Sequence, residues 1–187
     1  MKAQRKNIWF SIMNEDDISP DLDRAIRETL VTCFPADREY FQARSWWHCV
    51  PIYRVLGKGD GDSIAAHVAI VERNVIVGQS LSKVHVAGVQ GFCVLPGYRG
   101  TGLSDKMMSI AMDQANSRGF NAGLLFCVDK LQAVYSRMGW HKLDSDVYMS
   151  DDKEGRKLIP AKNITMFYPI GIKQFPPGDI DLAGTDW

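Results

Sequence analysis

Apolar positions along this chain recur with two periods. In "PDLDRAIRETLVTC", residues 20 to 33, Leu22, Ile26, Leu30 and Val31 fall at helical spacing, and Pro20 suits the first turn. In "LSDKMMSIAMDQANSRG", Leu103, Met107, Ile110, Ala111 and Ala115 share one side, which predicts an amphipathic helix ended by Gly119. "KLQAVYSRMGW" predicts a shorter helix that stops at Gly139. Runs rich in Val and Ile predict strands instead. These are residues 52 to 57, then 63 to 78 with a bend near Arg73 and Asn74 and a return, then 82 to 95 with a bulge at Gly88 or Gly91. "AGLLFCV", residues 122 to 128, is a short apolar run of the kind a buried parallel strand shows. "WHKLDSDVYM" and "NITMFYPIGI" close the set as strands.

Between these elements, "GKGDGD" reads as a tight turn and "FPADREYFQARSWWHCVP" as a polar, aromatic connection. Residues 150 to 157, "SDDKEGRK", are expected to form a mobile surface loop, and residues 174 to 187 an irregular acidic tail. The order of helix, strands, helix, strand, helix, strands predicts an α/β (α+β) fold. A single domain over 1–187 is expected, with one mixed sheet, antiparallel early and parallel across the 104–117 helix.

The chain's 187 residues are enough to bury a core, and 45% hydrophobic with 24% charged residues fits a globular protein. Lys plus Arg and Asp plus Glu are equal at 22 each, so bulk charge argues for neither nucleic acid nor an anionic membrane as partner. Glu15, Asp16 and Asp17 interrupt the N-terminal apolar run too early for a signal peptide, and no stretch approaches the roughly 20 apolar residues that span a bilayer. Cys33, Cys49, Cys93 and Cys127 show no paired spacing, so neither a metal nor a disulfide is expected, and a cytoplasmic setting is the simplest.

"GFCVLPGYRGTGLSDKMM", residues 91 to 108, carries the strongest chemical signal. An apolar strand passes through a glycine turn into a helix start, with Arg99 at the turn. Unpaired N–H groups at a helix N-terminus bind phosphate, glycines let the backbone approach the anion, and arginine adds a full charge. Neither the GK[ST] of a Walker loop nor a GxGxxG is present.

"VLPGYRGTGLSDKMMSIAMDQA" resembles the acyl-CoA-binding signature of the GNAT superfamily of N-acetyltransferases, and "AVYSRMGW" resembles that family's second signature. The one departure in the turn is Ser104, where Gly or Ala is usual. The resemblance implies a splayed strand whose Phe92, Cys93 and Val94 pair with the pantetheine arm of acetyl-CoA or another acyl-CoA. It implies a pyrophosphate held by Arg99, Gly100, Thr101, Gly102, Leu103 and Ser104, with no metal. It makes Tyr135 the general acid for the leaving thiolate. The base that deprotonates the amine stays open among His67, His85, Glu72 and a water chain.

Two narrower resemblances concern the acceptor. "AAHVAIVERNVIVGQSL", the glycine turn, "YSRMGW" and "AGTDW" look like the aminoglycoside 2′-N-acetyltransferases. "RSWWHCVPIYRVLG" with "IAAHVAIVERNVIVG" is similar to the nodulation N-acyltransferases. Both acylate amino sugars, which implies a small aminated acceptor and makes Gln90, Asp186 and Trp187 the substrate-binding candidates. Gln90 stands where those enzymes carry a glutamate, and the tail acid is shifted by one, with Thr185 in its place. Losing those carboxylates argues against a tri- or tetracationic acceptor. It leaves a less charged amino sugar, another amine, or a longer acyl donor. The rival readings are a protein or peptide N-acetyltransferase and a non-catalytic acyl-CoA-binding module. Monomer and homodimer both remain open.

Overall fold

The computed structural model describes residues 7–59, 63–151, 155–160 and 163–187. Ten strands form one curled mixed sheet among the described residues. In chain order they are β1 (Trp9–Asn14), β2 (Tyr53–Lys58), β3 (Ile64–Val77), β4 (Ser82–Val94), β5 (Ala122–Val128), β6 (His141–Leu143), β7 (Val147–Asp151), β8 (Gly155–Leu158), β9 (Asn163–Pro169) and β10 (Ile180–Asp181). The helices are α1 (Pro20–Cys33), α2 (Arg38–Ala43), α3 (Leu103–Ser117) and α4 (Gln132–Arg137).

Helix α1 starts as its sequence dictates. Ser19 caps it by accepting the Leu22 N–H at 3.2 Å, Pro20 occupies the first turn, and Ile26 and Leu30 are fully buried. Helix α3 buries Leu103, Met107, Met108, Ala111, Met112 and Ala115 against the opposite face of the sheet.

The strand order is β6-β9-β5-β4-β3-β10-β7-β8, with β1 and β2 added beside β3. Strands β3 and β4 pair antiparallel along most of their length. Strands β4 and β5, joined through α3, are parallel but pair only from Val86–Ala122 to Gly88–Leu124. Beyond Gly88 they diverge. From Val89 to Val94, β4 keeps β3 on one side, and β5 turns its own bonds to β9 on the other. The result is a V whose inner edges carry free backbone groups.

One residue controls the shape of the open arm. The β3–β4 register moves from His67↔Cys93 to Ala69↔Gln90, so β4 holds one residue more than β3 across that step. Gly91, at φ +57°, takes up the extra residue in a conformation that glycine adopts without strain.

Four expectations need correction. No bend occurs at Arg73 and Asn74; β3 runs straight through them, and the reversal comes at residues 78 to 81. Glu72 and Asn74 are exposed and Arg73 partly so, because that stretch of β3 turns polar residues to solvent, which mimicked a turn in the sequence. "WHKLDSDVYM" is two strands: β6 lies beside β9, and β7 lies beyond β10 near the other end of the sheet. The segment expected as a mobile loop contains strand residues, since Ser150 pairs with Arg156 and Met149 with Lys157 in the β7–β8 hairpin; residues 152–154 lie outside the described residues. The tail is irregular apart from β10, which inserts between β3 and β7, and it buries Phe175, Ile180, Leu182 and Trp187. Strand β1 and helix α2 carried too little periodicity to be anticipated.

Candidate active site

The mouth of the V opens into a cavity of about 330 Å³. Strand β4 supplies Phe92, Cys93 and Val94; the following turn and α3 supply Tyr98, Arg99, Gly100, Leu103 and Ser104. Leu131, Val134 and Tyr135 come from the α4 side, and Cys33 and Phe34 from the end of α1. Eight residues singled out in the sequence therefore line one cavity: Phe92, Cys93, Val94, Arg99, Gly100, Leu103, Ser104 and Tyr135. Thr101 and Gly102 stand next to it and are exposed, with Thr101 donating its hydroxyl to the Tyr98 carbonyl at 2.7 Å.

The turn leaves its backbone open. Gly100 and Gly102 adopt φ of +74° and +78°, and a Cβ built on either meets nothing within 4 Å. The backbone is bare and open at both positions. Helix α3 then begins with N–H groups that have no partner four residues back. Arg99 is anchored by its Nε, which donates to the Val94 carbonyl at 3.0 Å.

At the other side of the cavity stands Tyr135. Its ring lies 6.2 Å from Phe92 and 6.3 Å from Trp140, centroid to centroid. Burial pushes its phenol well above the ordinary tyrosine value, with the nearby Cys127 thiol adding to the shift. The group stays protonated through the neutral range, so its proton is in place at the cavity.

An acetyltransferase (GNAT) domain model matches residues 18–143, more than half of the chain. The chain belongs to the GNAT acetyltransferase family. No curated protein matches it. Among solved structures, the GNAT family N-acetyltransferase YhbS of Escherichia coli, solved in complex with CoA, is similar over 98% of this chain and 92% of its own, with TM-score 0.63 and 17% identity. FeeM, an N-acyl amino acid synthase from uncultured soil microbes, is similar over 88% of this chain and 92% of its own, with TM-score 0.60 and 11% identity. A GCN5-related N-acetyltransferase from Kribbella flavida matches 73% of this chain, which spans only 33% of that protein's length (TM-score 0.54, 17% identity).

Within this GNAT fold, none of the three acceptor candidates is among the residues that line the cavity. Gln90 is buried, and its amide is spent on the 47–49 segment: Oε1 accepts the Trp47 N–H at 2.6 Å and Nε2 donates to the Cys49 carbonyl at 2.7 Å. Asp186 pairs with His48 at 2.7 Å. Trp187 is buried against Gly88 and Phe126. All three thus hold the connection after α2 and the tail against the sheet.

The open question of the base narrows. His67 is fully buried with both ring nitrogens engaged, and burial together with the Arg54 charge pushes it down to about 3. It has no path to a substrate. His85 pairs with Glu72 at 2.7 Å and stacks on Phe120 at 4.2 Å, so both polar groups sit on the outer face, and neither lines the cavity.

Sequence reasoning passed over two features. Cys33 reaches the cavity from α1, and the Cys93 thiol and Arg99 guanidinium beside it lower its thiol to about 7 despite partial burial. No spacing signal linked Cys33 to Cys93, sixty residues away. Asp105, in the first turn of α3, forms a two-pronged pair with Arg137 at the end of α4, at 3.2 Å for both bonds. Among the described residues no cluster of three metal-binding side chains occurs, and no helix is long and apolar enough to cross a membrane.

Proposed function

We propose that the cavity holds acyl-CoA and that the protein transfers its acyl group to a primary amine of a small molecule, an amino sugar being the favoured acceptor. The observation that carries this reading is the joint placement of the glycine turn, the free edge of β4 and Tyr135 around one cavity.

The turn from Arg99 to Ser104 takes the pyrophosphate on its open N–H groups, with Arg99 close by. The pantetheine arm, an extended chain with two amides, adds as a strand to the edge of β4 that β5 leaves free between Val89 and Val94. That places the thioester between the two arms of the V. The amine attacks the thioester carbonyl directly, the C–N bond forms, and the C–S bond of the tetrahedral adduct breaks. A backbone N–H on the open edge of β4 stabilises the oxyanion. Tyr135 donates its proton to the departing thiolate, and the amine's proton leaves through water, since His67, His85 and Glu72 do not line the cavity.

The sequence resemblance to aminoglycoside 2′-N-acetyltransferases and nodulation N-acyltransferases supports the amino-sugar acceptor. The charges favour a weakly cationic one, since Gln90 is neutral and bonded to the 47–49 segment and Asp186 already faces His48. A cytoplasmic enzyme without a metal fits this chemistry.

The test is thioester cleavage from acetyl-CoA across a panel of amines that holds aminoglycosides, glucosamine, chitosan oligomers, polyamines and peptides. Turnover on an amino sugar that is lost in Tyr135→Phe is the expected result. Turnover on peptides alone would transfer the protein to the rival acceptor class. CoA binding with no turnover on any amine would leave a binding module.

A further inference from the structure

The free edge of β4 has a direction, and that direction fixes where the acyl group goes. With the phosphates at Arg99–Ser104, an arm running along β4 passes Val94 first and Phe92 next. Its thioester end therefore points toward the narrow end of the V, where pairing resumes at Gly88–Leu124. What fills that narrow end limits what the donor can carry.

The filler is Trp187. A Cβ built on Gly88 would lie 2.4 Å from Trp187 Cε2 and 2.7 Å from its Nε1, so the indole rests directly on the glycine backbone. Phe126, two residues beyond Leu124 on the diverging β5, packs its ring 5.1 Å away, and the Arg73 guanidinium lies 5.9 Å from the indole. The indole thus bridges the two strands at the point where they part. It is 7% exposed, and its N–H is buried without a partner among the described residues.

The segment that carries it is tied down at several points. The Arg73 guanidinium donates to the carbonyls of Ala183 and Thr185 at 3.3 and 3.4 Å, the Ser150 N–H donates to the Gly184 carbonyl at 2.9 Å, and Asp186 holds His48.

We propose that Trp187 sets the length of the acyl group this enzyme accepts, closing the narrow end of the β4–β5 V so that short acyl chains fit and longer ones meet the indole. The proposal rests on the donor-site reading given above and specifies its substrate. Pocket walls of this kind discriminate by roughly tenfold or more for a methylene that does not fit.

Binding of CoA and of S-alkyl-CoA thioethers with two to eight carbons, measured by calorimetry, tests the idea without an acceptor or turnover. The wild type is expected to bind CoA and ethyl-CoA comparably and to lose about tenfold or more in affinity by hexyl-CoA. Trp187→Ala is expected to bind hexyl-CoA at least about tenfold tighter than the wild type does, with CoA itself unchanged and Trp187→Phe in between. Should the alanine variant fail to fold, Trp187→Leu and Trp187→Phe read the same ratio. A wild-type affinity that is flat across chain lengths, or a ratio unchanged in folded variants that bind CoA, overturns the proposal. A wild type that binds neither CoA nor any thioether overturns the donor-site reading beneath it, and the two failures are thereby distinct.

Discussion

His67 holds the carbonyl of Gly91. Its Nδ1 donates to that oxygen at 2.8 Å, which fixes the tautomer, because a carbonyl can only accept. Nε2 is left to accept from Arg54 Nη1 at 3.3 Å. Arg54, fully buried, donates to the Ser45 carbonyl at 2.9 Å and grips Glu15 through two bonds of 2.7 Å. A buried chain of polar groups thus runs from the start of the fold to the bulge that shapes the open arm of β4. It is fully connected, the condition under which such networks stabilise rather than destabilise.

This network predicts a pH effect. His67 is depressed from 6.5 to about 3 in the folded protein, so the unfolded chain binds more protons between those values. The stability it contributes is complete above pH 6.5 and is lost as pH falls through the window, by up to about 1.4 kcal/mol per pH unit. Chemical denaturation between pH 7.5 and 4.5 measures the slope. His67→Gln should flatten it while lowering stability at pH 7.5; an unchanged slope would remove His67 as its source.

Tyr135→Phe keeps the ring packing on Phe92 and Trp140 and removes only the proton. Turnover should fall by roughly 10²–10⁴-fold with KM for acetyl-CoA nearly unchanged. A fall in affinity instead would show the phenol to be a binding group.

Asp105 and Arg137 should act in opposite directions on the donor. Asp105 places a negative charge in the first turn of α3, near the proposed pyrophosphate, and the Arg137 guanidinium holds its carboxyl below the usual range. Asp105→Asn should tighten CoA binding and Arg137→Ala weaken it, each by about two- to fivefold at low salt, given the modest worth of exposed charges. Calorimetry at two ionic strengths checks both, with the effects shrinking as salt rises.

Cys33 should be the reactive thiol. Its alkylation rate should rise with an apparent pKa near 7 rather than 9, and CoA should protect it. Cys127, which burial raises to about 11, should react slowly at neutral pH. Peptide mapping after brief treatment with iodoacetamide distinguishes them, and equal labelling of the two would contradict the Cys33 environment.

Gln90 links the 47–49 segment to β4 through two bonds from one amide. Gln90→Ala leaves the Trp47 N–H and the Cys49 carbonyl without this partner and should cost about 1–3 kcal/mol of stability. Gln90→Glu should cost more than Gln90→Met, because it buries a charge beside a carbonyl that needs a donor.

Much of this was local enough to read in the sequence. The period of Leu22, Ile26 and Leu30 made α1 visible through its one buried face, the Val-rich runs made β3 and β4 visible, and the short apolar run made β5 visible, since these strands are largely buried. The glycine turn was legible because it is built from consecutive residues: open glycines, one arginine and a helix start within six positions. Tyr135 was legible only through resemblance, as nothing local marks one tyrosine from another. The polar stretch of β3 at residues 72 to 74 misled, because alternation toward solvent and a turn look alike without the partner strand.

The sequence alone determined most element types, the mixed sheet and the glycine turn, because those depend largely on patterns among near neighbours in the chain. Tertiary structure decided that Gln90 and Asp186 are engaged by the 47–49 segment, that Cys33 meets Cys93 and Arg99, that His67 is locked to Gly91, and that Trp187 sits on Gly88. Each of those joins residues far apart in the chain. Their partners follow from how β4 splays from β5 and where the tail lies across the sheet, and no residue's own identity carries that information.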